Sequence, residues 1–352
     1  MTAASPSCDS LDRALLVEAQ KQVPIAHRPF ALLGERLGLS EQDVLDRLGR
    51  LKAAGVLRHL SARFDLWALG YQGLLVAMQI DPARVDQAAE AVGGYPGITY
   101  SCRRDDPLNL WLTLAVAPQE SLDRLIAVLR ALAQADDVVT LQTLRWYKHH
   151  LPPEAPMGEM SLSPLSESTY VPLRLGAFWT LDTQDLRCFR ICQEDLPLLE
   201  IPYAVWAEQA EMTEEALFAW MRRREQAGHF CGVAAWLAPR PERRSAYRLV
   251  AWSVADDAVD AVGARLARFS EVVACCRRQA HRRWPYALST MLHAEEEAHC
   301  AAILQRIRGD VGALSSKLVG PITEYKAAPL KYFDPALEGW WESARAHGNI
   351  LK

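Results

Sequence analysis

The chain has 352 residues, of which 50% are hydrophobic and 23% charged, and its formal net charge is −4. This composition suits sizeable cores in roughly two to four domains, and the acidic balance argues against a nucleic-acid-binding protein. No apolar run approaches the roughly 18 residues of a membrane-spanning helix, and the first residues have no signal-peptide pattern. We therefore expect a cytoplasmic protein with neither a membrane nor a nucleic-acid partner.

A long internal repeat organises the chain. Residues 20–57 align with residues 193–230 at a constant shift and without gaps. The aligned pairs include Pro29 with Pro202, Ser40 with Thr213, Leu48 with Met221, and Gly55 with Gly228. A repeat of this length predicts two copies of one unit, related by a pseudo-two-fold axis, with a cleft between them.

Each copy has the start and stop signals of a helix-turn-helix. In the first copy, Pro29 suits the first turn of one helix and Gly38 ends it. Ser40 then caps a second helix, with Asp43 completing a capping box, and Gly55 ends that helix. An extended stretch follows, so the pattern predicts a winged helix-turn-helix in each copy.

After each copy the pattern changes to the order βαββαβ, which is typical of a ferredoxin-like domain. In the first half we predict strands at 67–80, 97–105, 109–117 and 138–148, and helices at 83–94 and 121–135. In the second half we predict strands near 245–255, 271–280, 284–294 and 318–327, and helices near 257–268 and 296–308.

The fold class is therefore α+β, with two tandem repeats of a winged helix-turn-helix followed by a ferredoxin-like domain. The predicted boundaries are 11–64 for helix-turn-helix 1, 65–150 for ferredoxin-like domain 1, 151–180 for a linker, 181–240 for helix-turn-helix 2, 241–333 for ferredoxin-like domain 2, and 334–352 for a C-terminal tail. The linker is rich in proline and serine. The tail carries Trp340 and Trp341, which we expect to pack against another surface.

Arginines and aromatic residues concentrate between the second and third strands of each ferredoxin-like domain. The residues are Arg103, Arg104 and Trp111 in the first half, and Arg277, Arg278, His281, Trp284, Tyr286 and His293 in the second. Interleaved rings and cations suit a flat apolar ligand with carboxylates on its rim. A simpler interpretation is a solvated strand edge protected by charge, with His293 as an ordinary core histidine.

The predicted recognition helices do not resemble those of DNA-binding proteins. The first is neutral overall, and the second opens on Glu214 and Glu215, where a groove-reading helix places hydrogen-bond donors. The eight cysteines show no zinc-like double pair, so buried reduced thiols are the simpler interpretation. A metal enzyme using Cys188, Cys192 and Cys231 stays a distant alternative.

The combined unit resembles the Lrp/AsnC architecture. Within it, four phrases resemble the sirohaem decarboxylases of haem d1 biosynthesis, in their fused NirD–NirL form. They are PIAHRPFALLGERLGLSEQDVLDRL, PLNLWLTL, WPYALSTMLHA and EYKAAPLKYF. The resemblance covers nearly the whole chain, with a NirD-like half at about 11–150 and a NirL-like half at about 180–333.

The resemblance implies the reaction. It removes the C12 and C18 acetate carboxyl groups of sirohaem to give 12,18-didecarboxysirohaem. No added cofactor is required, because the iron-containing tetrapyrrole is itself the substrate. The partners it implies are sirohaem and its decarboxylated products, a second copy in a homodimer, or related decarboxylase subunits, with the helix-turn-helix modules kept as scaffold.

This chemistry assigns expected roles to individual residues. His293 is the first candidate for a proton donor or for an axial ligand to the sirohaem iron, and Tyr286 is the second candidate acid. Arg277 is the candidate catalytic cation. The candidate substrate-binding residues are Arg278, His281, Lys326, Tyr325, Arg145, Arg103, Arg104 and Trp111. Strand alternation places Ser289, Met291 and His293 on one face of their strand and Thr290 and Leu292 on the other.

The halves differ at the first hairpin. Family members often carry a His and a Tyr before the hairpin arginine, whereas this chain has Tyr100-Ser101-Cys102. We therefore predict one working site dominated by the second half, with Arg103 and Arg104 contributing walls. The alternative function is an Lrp/AsnC-type ligand-responsive DNA-binding regulator, and a non-catalytic tetrapyrrole carrier is a third possibility.

Overall fold

The computed structural model describes residues 8–149, 181–237, 246–294, 296, 298–311, 315–320 and 323–346. The predicted linker at 151–180 lies outside the described residues. Among the residues that are described, no helix is both long and apolar enough to span a membrane.

Both halves contain the predicted elements in the predicted order, together with additional helices and with the last predicted strand divided into two. The first half contains α1 (Ser10–Lys21), α2 (Pro29–Leu37), α3 (Glu41–Ala53), β1 (Leu57–Phe64), β2 (Gln72–Gln79), α4 (Val85–Gly93), β3 (Ile98–Arg103), β4 (Leu110–Val116), α5 (Leu122–Ala133) and β5 (Asp137–His149). The second half contains α6 (Thr183–Cys192), α7 (Pro202–Gln209), α8 (Glu214–Gln226), β6 (Phe230–Leu237), β7 (Ala246–Trp252), α9 (Val259–Leu266), β8 (Val272–Arg278), β9 (Leu288–Ala294), α10 (His299–Val311), β10 (Ser316–Val319), β11 (Thr323–Ala327) and α11 (Ala336–Ala346).

Like modules from the two halves associate with each other. One compact unit joins Met1–Ala68 with Phe178–Arg240 and holds both helix-turn-helix modules. The other joins Leu69–Ala177 with Pro241–Lys352 and holds both ferredoxin-like domains. We call them the helical unit and the sheet unit.

Local signals set the helices of the helical unit. Pro29 begins α2, and Gly38, with φ at +68°, ends it in the left-handed conformation that favours glycine. Ser40 and Asp43 form the predicted capping box of α3, and Thr213 caps α8. Each module also has a preceding helix, α1 or α6, that the sequence pattern did not reveal.

The two modules share one strand pair. β1 and β6 form an antiparallel two-stranded sheet in which Leu60 faces Ala235. The strand after each recognition helix therefore pairs with its counterpart from the other repeat. Tyr203 strengthens this association by donating a hydrogen bond to the carbonyl of Pro24 at 3.0 Å.

A buried carboxylate ties the helices of each module together. Asp12 on α1 is fully buried and lies 2.7 Å from both Arg47 and Arg50 of α3. Burial raises the pKa of Asp12, but the hydrogen bonds from Arg50 and Arg47 outweigh burial and hold that pKa below its ordinary value. At the same place in the second copy, Asp185 accepts a hydrogen bond from the Trp220 ring nitrogen at 2.8 Å.

The sheet unit contains one nine-stranded sheet, in the order β10-β7-β9-β8-β5-β2-β4-β3-β11. The two halves join where β5 of the first domain pairs with β8 of the second. In the same way, β11, the last strand of the second half, pairs with β3 of the first domain. The last strand of each domain thus pairs with a strand of the other domain, as expected for a pseudo-two-fold repeat.

The sheet has two faces, which we call the outer and the inner face. The outer face is covered by α4 and α5 in the first half and by α9 and α10 in the second, over core residues such as Leu112 and Leu292. The inner face carries the alternating residues, among them Trp111, Met291 and His293. Lys317 of β10 is ion-paired with Asp106 beside β3, so the sheet curls and its two ends approach each other across the inner face.

The final strand of the second half departs from the prediction. The sequence predicts one strand near 318–327, but the structure has β10 and β11, which pair at opposite ends of the sheet. Gly320 and Pro321 stand between them. Proline has no backbone N–H to give to a strand ladder, so one continuous strand is disfavoured at this point.

The C-terminal tail packs on the first ferredoxin-like domain. The Trp340 ring lies edge-on to Tyr95, with centroids 4.8 Å apart. The Trp341 ring nitrogen donates to the Glu120 carboxylate at 2.6 Å. The backbone N–H of Phe333 donates to the Tyr71 hydroxyl at 2.7 Å. The tail is therefore an integral part of the sheet unit.

Candidate functional site

His293 lies on the inner face, near the end of β9. It alternates with Leu292, which belongs to the core under α9 and α10, so its side chain stands on the other side of the sheet. The imidazole is half-buried and stacks on the ring of Tyr247 from β7, with centroids 4.7 Å apart and an interplanar angle of 27°. In the described part of the chain, no hydrogen bond occupies either ring nitrogen of His293.

The first half has no equivalent of this pair. Tyr247 and His293 face each other across β7 and β9, and Gly73 and Ala115 face each other at the matching positions of β2 and β4. An equivalent backbone hydrogen bond in each half confirms that His293 corresponds to Ala115. The His293 N–H donates to the Glu271 carbonyl at 2.8 Å, and the Ala115 N–H donates to the Gly97 carbonyl at 2.8 Å. The potential acid or ligand therefore exists on one side of the pseudo-two-fold axis.

A second group of predicted residues meets around two tryptophans from different halves. Trp111, which is 1% exposed, lies edge-on to Trp284 at 4.7 Å. Trp284 in turn contacts the half-buried Tyr286 at 4.8 Å. The Arg104 guanidinium lies 4.1 Å from the centre of the Trp111 ring, and burial lowers the pKa of Arg104. The structure thus brings Arg104, Trp111 and Tyr286 into one apolar, cationic cluster.

Two further predicted residues flank this inner-face group. Arg278 is buried and donates to Thr143 Oγ1 at 3.1 Å and to the Leu141 carbonyl at 3.4 Å. His281 lies in the hairpin before β9, where its Nδ1 accepts the backbone N–H of Arg283 at 3.2 Å. Arg278 therefore crosses the junction between the halves, and His281 shapes the hairpin that carries Trp284.

Other predicted cations lie on the outer face. Arg277 faces Leu288 across β8 and β9, and Leu288 belongs to the core under the helices. Arg277 and Arg145 lie 3.7 and 3.5 Å from the carboxylate of Asp260 on α9. The Tyr147 hydroxyl donates to the same carboxylate, and this bond, with the two arginines, lowers the pKa of Asp260.

The first half repeats this outer-face cluster. Arg103 lies 4.0 Å from Asp86 on α4, and the Tyr325 hydroxyl donates to the same carboxylate. Partial burial and the bond to Asp86 raise the pKa of Tyr325 to about 12. Lys326 donates to the carbonyls of Gly93 at 2.9 Å and Tyr95 at 3.2 Å, and burial lowers the pKa of Lys326.

The predicted site residues therefore form separate groups. His293, Tyr286, Arg104, Arg278 and Trp111 belong to the inner face or its rim, whereas Arg277, Arg145, Arg103, Tyr325 and Lys326 belong to the outer face. Tyr247, the residue that stacks on His293, was not among the candidate residues predicted from the sequence. An alignment of the two ferredoxin-like domains could have indicated it, because Tyr247 aligns with Gly73 and the two halves therefore differ at this position.

The first residue of each recognition helix forms an ion pair within the helical unit. Glu41 at the start of α3 pairs with Arg28, and its side chain is 11% exposed. Glu214 at the start of α8 pairs with His27 of the other repeat at 2.6 Å and is 12% exposed. Arg224 of α8 pairs with a buried carboxylate of its own module. The first carboxylate of each recognition helix is therefore held in an ion pair within the helical unit.

Metal ligation by protein side chains has no structural support in the described residues, where no group of three His, Cys, Asp or Glu side chains converges. Cys188 and Cys192 are free buried thiols, and burial raises the pKa of both. Cys231 is a free, half-buried thiol. Cys188 and Cys192 are therefore core residues.

Two family models match this chain, each in both halves. The model described as "Siroheme decarboxylase NirDL-like HTH domain" matches residues 12–58 and 185–229. The model described as "AsnC-like ligand binding domain" matches residues 68–148 and 245–326. Together they reproduce the order helix-turn-helix, ferredoxin-like domain, repeated twice.

Relatives with established names agree with the models. The "Siroheme decarboxylase" of Hydrogenobacter thermophilus is 26% identical over 324 residues, which make up 92% of this chain and 95% of the relative. The "Siroheme decarboxylase alpha subunit" of Desulfovibrio desulfuricans is 38% identical over 139 residues, or 40% of this chain and 79% of the relative.

A solved structure shares the fold over the whole length. The crystal structure of the siroheme decarboxylase NirDL in co-complex with an iron-uroporphyrin III analogue matches with a TM-score of 0.77 at 24% identity, covering 97% of this chain and 100% of that one. The fold, the repeated domain order and the identity to named relatives lead to one conclusion: the chain belongs to the sirohaem decarboxylase family.

Proposed function

We propose that this chain removes the C12 and C18 acetate carboxyl groups of sirohaem, giving 12,18-didecarboxysirohaem for haem d1 biosynthesis. Membership of the sirohaem decarboxylase family supports the reaction class and the substrate. The single observation that carries the assignment to this chain is the inner-face histidine, which is half-exposed, has no competing partner among the described residues, and lies on the same face as a cluster of aromatic and cationic side chains.

The reaction needs an electron sink and an acid. When the bond between the acetate methylene and its carboxylate breaks, CO₂ leaves and the electron pair stays on the methylene carbon. The macrocycle delocalises that pair, and a proton delivered to the carbon completes the methyl group. The substrate supplies the electron sink, so we propose that no added cofactor takes part. His293 is the proposed proton donor, or the ligand that holds the iron while a second acid such as Tyr286 delivers the proton.

The surrounding residues suit the substrate's two surfaces. Aromatic rings such as Trp284 and Tyr286 suit the apolar face of a macrocycle. Arginines suit the carboxylates on its rim, because the guanidinium forms charge-assisted and often bidentate hydrogen bonds. The outer-face arginines Arg277 and Arg103 each share a carboxylate with a tyrosine, so we propose that they act at the rim of the macrocycle rather than over the ring.

We further propose one working site per chain, in the second half. The first-half counterpart of His293 is Ala115, which cannot transfer a proton or bind iron through its side chain. The cavity beside Ala115 is lined by Leu330 and Lys331, and by Asp334 and Leu337 of the C-terminal tail. The first-half counterpart therefore has no side chain that could serve as the proton donor or iron ligand proposed for the second half.

Two properties of the structure argue against the DNA-binding alternative. The starts of both recognition helices are occupied by ion pairs, one of them with the other repeat. The basic residues Arg47 and Arg50 are committed to the buried Asp12. A DNA-binding regulator needs such residues free for phosphates. We propose instead that the helical unit is a scaffold, and that a second copy or related subunits, such as those named among the relatives, are the protein partners.

The function is tested by anaerobic incubation of the purified chain with sirohaem, followed by mass spectrometry of the extracted tetrapyrrole. We expect a mass that corresponds to the loss of two CO₂, and nuclear magnetic resonance of the product should show methyl groups at C12 and C18. Binding with an unchanged mass would instead identify a carrier. Heat-inactivated protein provides the control for spontaneous decarboxylation.

A further inference from the structure

Tyr247 and His293 form the feature that most clearly separates the two halves of the sheet unit. They face each other on adjacent strands, β7 and β9, and their rings lie nearly parallel at 4.7 Å. At the matching place in the first half stand Gly73 and Ala115, which have no rings to stack. Both members of the pair are thus present on one side and absent on the other.

We infer that Tyr247 is a positioning residue for His293, an inference that rests on the proposed function of that histidine. A histidine side chain turns about two bonds, and its orientation on a half-exposed strand position is otherwise weakly determined. A ring lying against one face of the imidazole fixes the plane of the imidazole, as offset-stacked aromatic pairs do.

Fixing the plane matters for either proposed role of His293. The N–H that donates a proton and the lone pair that binds iron both lie in the plane of the imidazole ring. Stacking leaves the edge of the ring, where both nitrogens are, open to the substrate while covering one face. Tyr247 therefore directs His293 without touching the reacting atoms.

The stack acts through the face of the tyrosine ring, which gives the inference a specific consequence. Phenylalanine at position 247 retains the ring and its stacking area, whereas leucine retains the apolar volume but not the flat face. Tyr332 offers a matched control, because it is another half-buried tyrosine in an aromatic pair, with its ring 5.3 Å from Tyr71 on the tail side of the unit.

The experiment compares wild type with Tyr247→Phe, Tyr247→Leu and Tyr332→Leu. For anaerobic sirohaem turnover, we expect Tyr247→Leu to lower kcat by about 10- to 100-fold with little change in KM, since a small misorientation of a catalytic group costs that much. Tyr247→Phe and Tyr332→Leu should stay near wild type. Equal activity of Tyr247→Leu and wild type, or equal losses in Tyr247→Phe and Tyr247→Leu, would overturn the inference.

A second measurement keeps this inference separate from the proposed function. The imidazole Cε1–H resonance of His293, identified by its absence in His293→Ala, should carry the ring-current shift of a stacked aromatic in wild type and in Tyr247→Phe. Tyr247→Leu should move that resonance toward the position of an unstacked histidine, while Tyr332→Leu leaves it unchanged. An unmoved resonance in Tyr247→Leu would refute the positioning role even if the chain proved inactive on sirohaem.

Discussion

The His293→Ala variant is expected to lose decarboxylation almost completely, with turnover of sirohaem reduced by about 10²- to 10⁴-fold, as for other enzymes that lose a general acid. The side chain is half-exposed on the inner face and stacked on Tyr247, so its removal creates no large cavity. The loss should therefore appear in kcat rather than in stability. Turnover is measured from the mass of the extracted tetrapyrrole over an anaerobic time course.

The His27→Ala variant is the control for any effect that comes from replacing a histidine elsewhere in the chain. His27 is exposed and pairs with Glu214 in the helical unit, which contains none of the proposed site residues, so His27→Ala should turn over sirohaem like wild type. The absorption spectrum of bound sirohaem separates the two roles of His293. A spectrum that changes in His293→Ala identifies an iron ligand, and an unchanged spectrum with lost turnover identifies a proton donor. Wild-type turnover by His293→Ala would exclude both roles.

The Trp111→Ala variant is expected to have the largest effect on stability. Trp111 is 1% exposed, lies edge-on to Trp284 of the other half, and has Arg104 over its face. Truncating a buried tryptophan costs about 3–5 kcal/mol through lost burial and the remaining cavity. The buried guanidinium of Arg104 also loses a cation–π contact worth up to about 2 kcal/mol when desolvated.

Urea unfolding followed by circular dichroism measures this loss as a lower transition midpoint. Trp111→Phe should lose much less, because it keeps an aromatic face for Trp284 and Arg104. Trp340→Ala is the size-matched control, since Trp340 is half-buried in the tail and contacts Tyr95 at the edge of the first domain. If Trp111→Ala unfolds no earlier than Trp340→Ala, the junction between the halves does not depend on the Trp111 contact.

Much of the fold follows from local signals. Pro29, Ser40 and Gly55 determine where the helices of the first helix-turn-helix begin and end, and the repeat transfers the same boundaries to the second. The alternation in β9 correctly separates His293 from Leu292. The sharing of strands between the halves was not predictable, because the partner of β5 or β11 depends on contacts far along the chain.

The candidate site was less predictable, for a geometric reason. Arg277 and Arg278 are neighbours on one strand, so their side chains point to opposite faces, and the same holds for Arg103 and Arg104. Only one of each pair can face the ligand, and bulges such as the one between Val272 and Ala274 shift which one it is. Composition identified the cationic hairpins but could not distinguish the face that carries His293 from the face that carries the helices.

One measurement addresses the central claim, that the chain holds a single sirohaem site organised by His293 in its second half. It is an anaerobic absorbance titration of sirohaem into wild type and His293→Ala at protein concentrations well above the dissociation constant. We expect the wild type to saturate at one equivalent per chain, and His293→Ala to bind no more than one equivalent and to lose turnover of the bound sirohaem. Saturation of the wild type at two equivalents, or wild-type turnover by His293→Ala, would contradict the claim.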